Sequence, residues 1–316
     1  MKNILIINKY FWPKIGGIEK VAEQHAKALS KSGFDVDILC CHESKNKSQE
    51  INLDGLKIYK RATLFELFSM PISLSFITFF FRNFHKYDYL YFHEPFPLAT
   101  VLAFLVRKKS KNIVYYHSKI VKQRYLKNIF EYMQKIYFKE SRLVITSSPL
   151  MKKYCQILSD LNNVKIVPIW VDDLDVEIGS KSELMSNYNK FYFFLGRNTY
   201  YKGIDILQKS IPLYYKLGGK NNFILAGDSF NIDLKDNFKD QVELIQENLS
   251  EKQKYQYLKS ARAFLFPSIE VSEAFGIVQV ESMSQRTPVI NTNLKSGVPW
   301  VSVDRETGIT VQEKDA

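Results

Sequence analysis

Residues 3–40 read NILIINKYFWPKIGGIEKVAEQHAKALSKSGFDVDILC, and this stretch decides the predicted fold. The apolar run 3–8 predicts a short buried strand. A helix is predicted next, because residues at helical spacing follow: Ile18, Val21, Ala22, His25 and Leu29. Gly33 is placed to end that helix. The segment DVDILC predicts the next strand. A strand, a glycine-containing loop, a helix and a second strand form a βαβ unit, which implies a parallel sheet with right-handed crossovers.

The same alternation continues along the chain. The next predicted strands are 87–93, 112–117, 141–148 and 164–170. The predicted helices between them are 97–109, about 120–139 and 149–158. Polar residues 172–190 lack a steady period and form the best candidate linker. After them the pattern restarts. The predicted strands are 191–196, 221–227, 242–245, 263–268 and 288–292, and the predicted helices are about 203–217, about 250–260 and one that starts near 275. We therefore predict an α/β protein of two doubly wound domains, 1–171 and 191–316, with a ligand site in the cleft between them, at the carboxyl ends of the strands.

Composition limits the function classes. The 316 residues carry a net charge of +11, which favours an anionic partner: nucleic acid, an anionic membrane surface or a phosphorylated small molecule. The three cysteines form no CxxC pattern, which argues against a zinc site or a disulfide framework and favours a reducing cytosol. The apolar stretch 70–81 is too short for a membrane span, and we favour a core helix there over one lying on a membrane.

Two features place backbone or cations where a phosphate could bind. Gly16 and Gly17 open the first helix, where unpaired amide groups and a partial positive charge favour anions, although the fingerprint G-x-G-x-x-G is absent. Arg197 and Lys202 follow the first strand of the second domain, and two cations around this turn could neutralise a diphosphate. An ordinary tight turn and an exposed basic loop are the alternatives.

Polar residues also end two neighbouring strands of the first domain. His117 closes NIVYYH and precedes Ser118, and His93 with Glu94 closes the strand before it. Because parallel strands share one carboxyl edge, we expect these groups to face the ligand site. A histidine that simply satisfies the core is the alternative for each position.

Residues 272–282 read SEAFGIVQVES. Glu273 is expected in the loop after a strand, with Gly276 allowing close backbone approach to a ligand, and Glu281 about two turns into the following helix. A loop carboxylate can accept hydrogen bonds from sugar hydroxyls while a helix start faces phosphate, and Glu281 could accept from a ribose.

These motifs together resemble the retaining glycosyltransferases of family 4, also called glycosyl transferase group 1. The resemblance covers nearly the whole chain, in the family's order: IGGIEKVAEQHAKALSKSGFDV, GRNTYYKG, FILAGD, FLFPSIEVSEAFGIVQVESM, TPVINT and TGITV. It implies two Rossmann-like domains in the arrangement named GT-B. The segments HEPFPLA, YYHSKIVKQ and SGVPWV look closest to bacterial mannosyl and rhamnosyl transferases of surface-polysaccharide synthesis.

The resemblance also implies residue roles. Glu273 and His117 match the groups beside the donor sugar, and Arg197 and Lys202 match the pair on the diphosphate. The remaining donor-side positions are Gly16, Gly17, Phe275, Gly276, Ile277 and Glu281, the last on the ribose. We assign His93, Glu94 and Ser118 to the acceptor side. The family transfers sugar from a nucleotide diphosphate with retention and generally without a metal, so no metal or other cofactor is expected. The resemblance does not decide between front-face attack and a covalent intermediate.

Three departures accompany the resemblance. The acceptor-side segments of the first domain match the family only loosely, so the resemblance does not identify the acceptor. Gln285-Arg286-Thr287 replaces the usual glycine-containing turn before Pro288. The chain also stops soon after TGITV, where family members usually continue into helices that cross back to the first domain. We therefore expect a fragment or an abbreviated second domain, with impaired domain closure and activity.

The leading hypothesis is a hexosyltransferase using a nucleotide sugar, with GDP-mannose favoured over UDP- and dTDP-sugars. The acceptor would be a glycan or an undecaprenyl-linked glycan of a bacterial surface polysaccharide such as the O-antigen of lipopolysaccharide. The enzyme would be cytoplasmic and peripheral at the inner face of the membrane. A nicotinamide dehydrogenase, a nucleotide-sugar epimerase and a nucleic-acid binder are the rivals. The missing G-x-G-x-x-G argues against the first, and the glutamate block with its two cations against the second. No nucleic-acid motif supports the third.

Overall fold

The computed structural model describes residues 1–14, 16–45, 47–67, 70–106, 111–119, 127–172, 191–227 and 236–316. The chain divides into two compact units, Met1–Pro168 and Ile169–Ala316. Residues 173–190 of the predicted linker lie outside the described residues.

The first unit contains an eight-stranded sheet and a two-stranded hairpin. Its strands are β1 (Asn3–Ile7), β2 (Asp35–Lys45), β3 (Gln49–Leu53), β4 (Leu56–Thr63), β5 (Phe65–Leu67), β6 (Met70–Ile72), β7 (Tyr89–Glu94), β8 (Asn112–Tyr116), β9 (Leu143–Thr146) and β10 (Val164–Ile166). The large sheet has the order β10-β9-β8-β7-β1-β2-β4-β3, in which only β3 runs antiparallel to its neighbour, and β5 pairs with β6. Because helices cover both faces of a parallel sheet, its central strands are continuously apolar, as in the buried run Ile4–Ile7.

The helices of the first unit largely match the sequence pattern. They are α1 (Gly17–Lys31), α2 (Leu74–Asn83), α3 (Pro97–Leu105), α4 (Lys127–Glu140), α5 (Pro149–Tyr154) and α6 (Gln156–Ser159). The single helix expected over 149–158 is two helices, because Cys155 adopts an extended conformation between them. The helix expected over 70–81 begins only at Leu74, since the Ser73 side chain caps it by accepting from Phe76 N and residues 70–72 form β6. Residues 107–110 and 120–126 of the expected helices lie outside the described residues.

The second unit is built on a fully parallel sheet of six strands. They are β11 (Phe191–Leu195), β12 (Asn222–Ala226), β13 (Val242–Ile245), β14 (Ala263–Phe266), β15 (Val289–Thr292) and β16 (Gly308–Val311), in the order β13-β12-β11-β14-β15-β16. The helices are α7 (Ile204–Lys216), α8 (Glu251–Ser260), α9 (Ile277–Ser284) and α10 (Val298–Val301). Two apolar clusters form its core, one built around Phe193, Phe264 and Leu258 and the other around Phe194, Ile211 and Leu225. The parallel order puts the carboxyl ends of β11 and β14 side by side.

Candidate active site

Two helices of the second unit begin at glycines beside these neighbouring strand ends. Gly203 (φ 68°) precedes α7 and Gly276 (φ 75°) precedes α9, both in the left-handed region that favours glycine. A Cβ atom at Gly203 would collide with the carbonyl oxygen of Pro267, and one at Gly276 would meet the Phe266 ring at 2.5 Å. The loop after β11 and the loop after β14 therefore pack backbone to backbone, and the amide of Ile269 donates to the carbonyl of Tyr201 at 2.9 Å.

Lys202 and Glu273 meet where these two loops pack. Lys202 Nζ lies 2.5 Å from Glu273 Oε2, and the two side chains are 14% and 13% exposed. The Lys202 ammonium also lies 5.0 Å from the centre of the Phe266 ring, and the buried Ser268 hydroxyl lies 3.5 Å from the same glutamate oxygen. A cation and a carboxylate are thus held together at the edge of the sheet, beside the starts of two helices.

Arg197 follows β11 at the same edge. Its side chain is exposed, and no hydrogen-bond or ion-pair partner of its guanidinium is found within the described residues. Phe275 is buried and its ring packs 6.3 Å from that of Trp300, whereas Ile277 is half-buried in the first turn of α9. The structure therefore brings Arg197, Lys202, Glu273 and Gly276 to one edge, with Phe275 anchoring the corner.

Glu281 lies deeper than the sequence suggested. Helix α9 begins at Ile277, so Glu281 lies a little more than one turn from the start of the helix. The expected distance of about two turns was too long, because the helix begins later than the expected position near 275. The side chain is only 2% exposed, and Oε1 lies 2.9 Å from Lys254 Nζ of α8. Lys254 is itself buried and also binds Glu251 at 2.7 Å. The role of Glu281 on a ribose stays a prediction.

A buried amide network, absent from the sequence interpretation, positions the corner at Phe275 and Gly276. Gln279 Nε2 donates to the carbonyl of Phe275 at 2.8 Å, and its Oε1 accepts from Asn291 Nδ2 at 2.9 Å. Asn291 also donates to the carbonyls of Val298 and Ser302, each at 3.1 Å. Because buried amides are stable only when they are hydrogen-bonded, this network fixes the start of α9 on β15. Local sequence carries no signal for it, since its members are brought together by the fold.

In the first unit, His93 and His117 lie on the same face of the sheet. His93 is in register with Tyr115, and His117 follows Tyr115 by two residues, so side-chain alternation aligns the two imidazoles. His93 Nδ1 and His117 Nε2 are 2.9 Å apart, and the two residues are 1% and 7% exposed. From α1, His25 joins this cluster through a 2.8 Å hydrogen bond between its Nδ1 and the Tyr91 hydroxyl. Burial lowers the pKa of His25 to about 4 and of His117 to about 3, so both rings are neutral at neutral pH.

Glu94 points to the opposite face and is fully buried. Its carboxyl group accepts hydrogen bonds from the amide of Phe96, the hydroxyls of Thr100 and Tyr137, and the side-chain amide of Gln134. Burial raises the pKa of Glu94 to about 7. The expectation that Glu94 presents a carboxylate at the sheet edge is therefore corrected, because consecutive strand residues face opposite sides and Glu94 follows His93.

The remaining first-unit positions follow β1 and β8 along the chain. Gly17 is the first residue of α1, and Gly16 precedes it in an extended conformation (φ −174°) that any residue can adopt. No other atom of the described residues is found within 4 Å of a Cβ atom built on Gly17. Ser118 is half-buried directly after His117.

No group of three or more His, Cys, Asp or Glu side chains in the described part of the chain is arranged to hold a metal ion. No helix formed by the described residues is long and apolar enough to cross a membrane. Cys40, Cys41 and Cys155 are buried and unpaired.

Comparison with known proteins gives the family. The model described as Glycosyltransferase Family 4 matches residues 15–173, and the model described as Glycosyl transferases group 1 matches residues 176–316. O-antigen chain mannosyltransferase C of Escherichia coli is 25% identical over 327 residues, covering 100% of this chain and 86% of that protein. D-rhamnosyltransferase WbpZ of Pseudomonas aeruginosa is 23% identical over 322 residues, covering 98% and 82%. Sucrose-phosphate synthase of Thermosynechococcus elongatus has a similar structure, with a TM-score of 0.80 at 18% identity, covering 100% and 87%.

The chain belongs to glycosyltransferase family 4. Its fold is the GT-B fold of two Rossmann-like α/β domains with parallel sheets, as the sequence predicted. It is accordingly a glycosyltransferase, which removes the dehydrogenase, epimerase and nucleic-acid-binding alternatives.

Proposed function

We propose that this enzyme transfers a hexose from a nucleotide diphosphate sugar to a glycan or lipid-linked glycan of a bacterial surface polysaccharide, with retention of anomeric configuration. The observation that carries the proposal is the Lys202–Glu273 ion pair beside the starts of α7 and α9. A carboxylate suits sugar hydroxyls, whereas a cation and unpaired backbone amides suit a diphosphate.

Arg197 extends this cationic edge. Its exposed guanidinium follows β11, and an arginine can bind phosphate oxygens through two parallel hydrogen bonds. Fixed cations can also stabilise the charge that develops on a departing diphosphate. We therefore propose a metal-independent transfer in which Arg197 and Lys202 hold the diphosphate, while Glu273 orients the sugar and His117 contacts it.

The proposed sugar and acceptor come from the relatives. One is an O-antigen chain mannosyltransferase and the other a D-rhamnosyltransferase, at 25% and 23% identity. The first name favours mannose and an O-antigen glycan, and we propose GDP-mannose as the donor and an undecaprenyl-linked glycan as the acceptor.

A donor screen tests the proposal. The thermal midpoint would be measured with GDP-mannose, UDP-glucose and dTDP-rhamnose on the wild type, Arg197→Ala and Glu273→Gln. We expect stabilisation of the wild type by GDP-mannose, which Arg197→Ala loses and Glu273→Gln largely keeps, because the arginine contacts the diphosphate common to all donors. Absence of a shift with every nucleotide sugar would contradict the proposal.

We also propose that the enzyme works at the cytoplasmic face of the cell membrane. Exposed apolar side chains cluster in sequence around the β5–β6 hairpin and α2: Leu64, Phe65, Leu67, Leu74 and Phe81. Exposed Arg82 and Lys86 follow directly, and cations beside apolar residues favour anionic lipid headgroups.

Flotation with vesicles distinguishes binding through this surface from nonspecific binding by exposed apolar residues. Phe65→Ser and Leu74→Ser together should reduce binding to phosphatidylglycerol vesicles at low salt, whereas Leu217→Ser, at an 88% exposed leucine of the second unit, should not. Equal binding by all variants would exclude this surface.

A further inference from the structure

His93 Nδ1 and His117 Nε2 share one proton in their hydrogen bond, so only one of the two nitrogens is the donor. Both rings are buried, and burial lowers the pKa of each, so the pair is neutral at neutral pH. In a neutral imidazole one nitrogen donates and the other accepts. The proton between the rings therefore sits either on His93 Nδ1 or on His117 Nε2, and its position fixes the tautomer of both residues.

The second nitrogen of His93 discriminates between these arrangements. His93 Nε2 is buried without a hydrogen-bond partner among the described residues. If His117 donated, His93 would carry its proton on Nε2 and bury an unpaired N–H group. If His93 donates, Nε2 is an unprotonated acceptor instead. Buried N–H groups without partners are rarer in proteins than under-satisfied acceptors, so the second arrangement is favoured.

We propose that His93 is a positioning residue that donates from Nδ1 to His117 Nε2 and thereby makes Nδ1 of His117 a hydrogen-bond donor to the sugar nucleotide. This deepens the proposed function and rests on the contact of His117 with the donor sugar. A donating nitrogen can bind a hydroxyl oxygen or the ring oxygen of the sugar, whereas an accepting nitrogen could bind only a hydroxyl hydrogen.

The surroundings hold His93 in the orientation that the proposal requires. Its ring stacks on that of Tyr115 at 17° with centroids 5.8 Å apart, and the Tyr91 ring lies 4.9 Å away. His25 packs against it at 5.6 Å, and His25 Nδ1 is bonded to the Tyr91 hydroxyl. His93 thus reaches no substrate itself and acts through His117.

The tautomer can be observed directly. The chain has five histidines, so long-range ¹H–¹⁵N correlation spectra of ¹⁵N-labelled protein would resolve each ring, with His117→Gln identifying the His117 signals. We expect His117 in the Nδ1–H form in the wild type. His93→Phe, which keeps a ring but removes the donor, should abolish this preference. His93→Asn, which can place an N–H at the position of Nδ1, should keep it.

Titration calorimetry links the tautomer to the sugar. His93→Phe should weaken GDP-mannose binding about five- to tenfold, the worth of one hydrogen bond, and leave GDP binding unchanged. An Nε2–H form of His117 in the wild type would overturn the proposal, as would an unchanged ratio of GDP-mannose to GDP affinity in His93→Phe. If His93→Phe does not fold, the wild-type and His93→Asn spectra still decide. If the wild type binds no nucleotide sugar, the proposed function fails, whereas the spectra test the tautomer independently.

Discussion

Lys202 and Glu273 come from loops after two different strands, yet Nζ of the lysine lies 2.5 Å from Oε2 of the glutamate. The contact depends on Gly203, because the lack of a side chain there lets the loop after β11 lie against the carbonyl of Pro267 in the loop after β14. It brings together the group proposed for the diphosphate and the group proposed for the sugar.

We expect Lys202→Met to lower the free energy of unfolding by about 1–2 kcal/mol, because it removes the counter-charge of a largely buried carboxylate. Adding Glu273→Gln should recover part of this loss. Urea unfolding of the two single variants and the double variant measures the coupling. Lys209→Met, at an exposed lysine of α7, is the control and should change little. If the changes in unfolding free energy of the two single variants add up to that of the double variant, the two side chains have no interaction energy.

Lys254→Met should be more destabilising, by about 3 kcal/mol. The substitution removes a buried cation 2.9 Å from Glu281, and breaking a buried ion pair costs more than breaking an exposed one. Lys252→Met, on the exposed side of the same helix, should have little effect. Thermal and urea unfolding compare the two, and equal stability would mean that Glu281 does not depend on Lys254.

Glu94→Gln should gain stability relative to the wild type as the pH rises. The pKa of Glu94 is raised from 4.5 to about 7. Between these values the unfolded carboxyl ionises while the folded one keeps its proton, so the wild type loses stability with rising pH, by up to about 3 kcal/mol. A glutamine can accept from Phe96 and Gln134 and donate to the Thr100 and Tyr137 hydroxyls.

Unfolding curves at several pH values check this difference. His25 and His117, whose pKa values are lowered, make the protein lose stability as the pH falls below 6.5, but they are present in both proteins and cancel. A difference that is constant from pH 4.5 to 7 would contradict the raised pKa of Glu94.

Arg286→Gly should stabilise the protein by about 1 kcal/mol. Arg286 has φ 62° in the turn before β15, where an L-residue is strained. Its side chain is exposed, so little packing is lost. Arg286→Ala keeps the backbone strain and should give no gain. Urea unfolding separates these variants, and an equal effect of both would assign the change to the lost side chain.

The sequence predicted the parallel sheets well, because strands buried on both faces leave continuous apolar runs such as Ile4–Ile7 and Phe191–Leu195. It missed β4, in which the buried Lys60, paired with Glu43 at 3.5 Å, interrupts the alternation of Leu56 and Ile58. Polar edge strands such as β3 leave no comparable run.

The same contrast holds for the site. Glycines and charges beside strand ends indicated Arg197, Lys202, Glu273 and Gly276, since strand ends can be located from local pattern. Lys254 could not be found in this way, because its contact with Glu281 exists only once α8 packs on α9. The burial of Glu94 was foreseeable, since two consecutive strand residues cannot share a face.

Gly203 and Gly218 both adopt positive φ, at 68° and 88°, but only Gly203 lies against a neighbouring backbone carbonyl. Asparagine, which tolerates the left-handed region, has open space at position 218 and none at position 203. We therefore expect substitutions of glycine to be tolerated at position 218, after the end of α7, and not at position 203, before its start. We therefore expect position 203 to be the better landmark for aligning distant relatives.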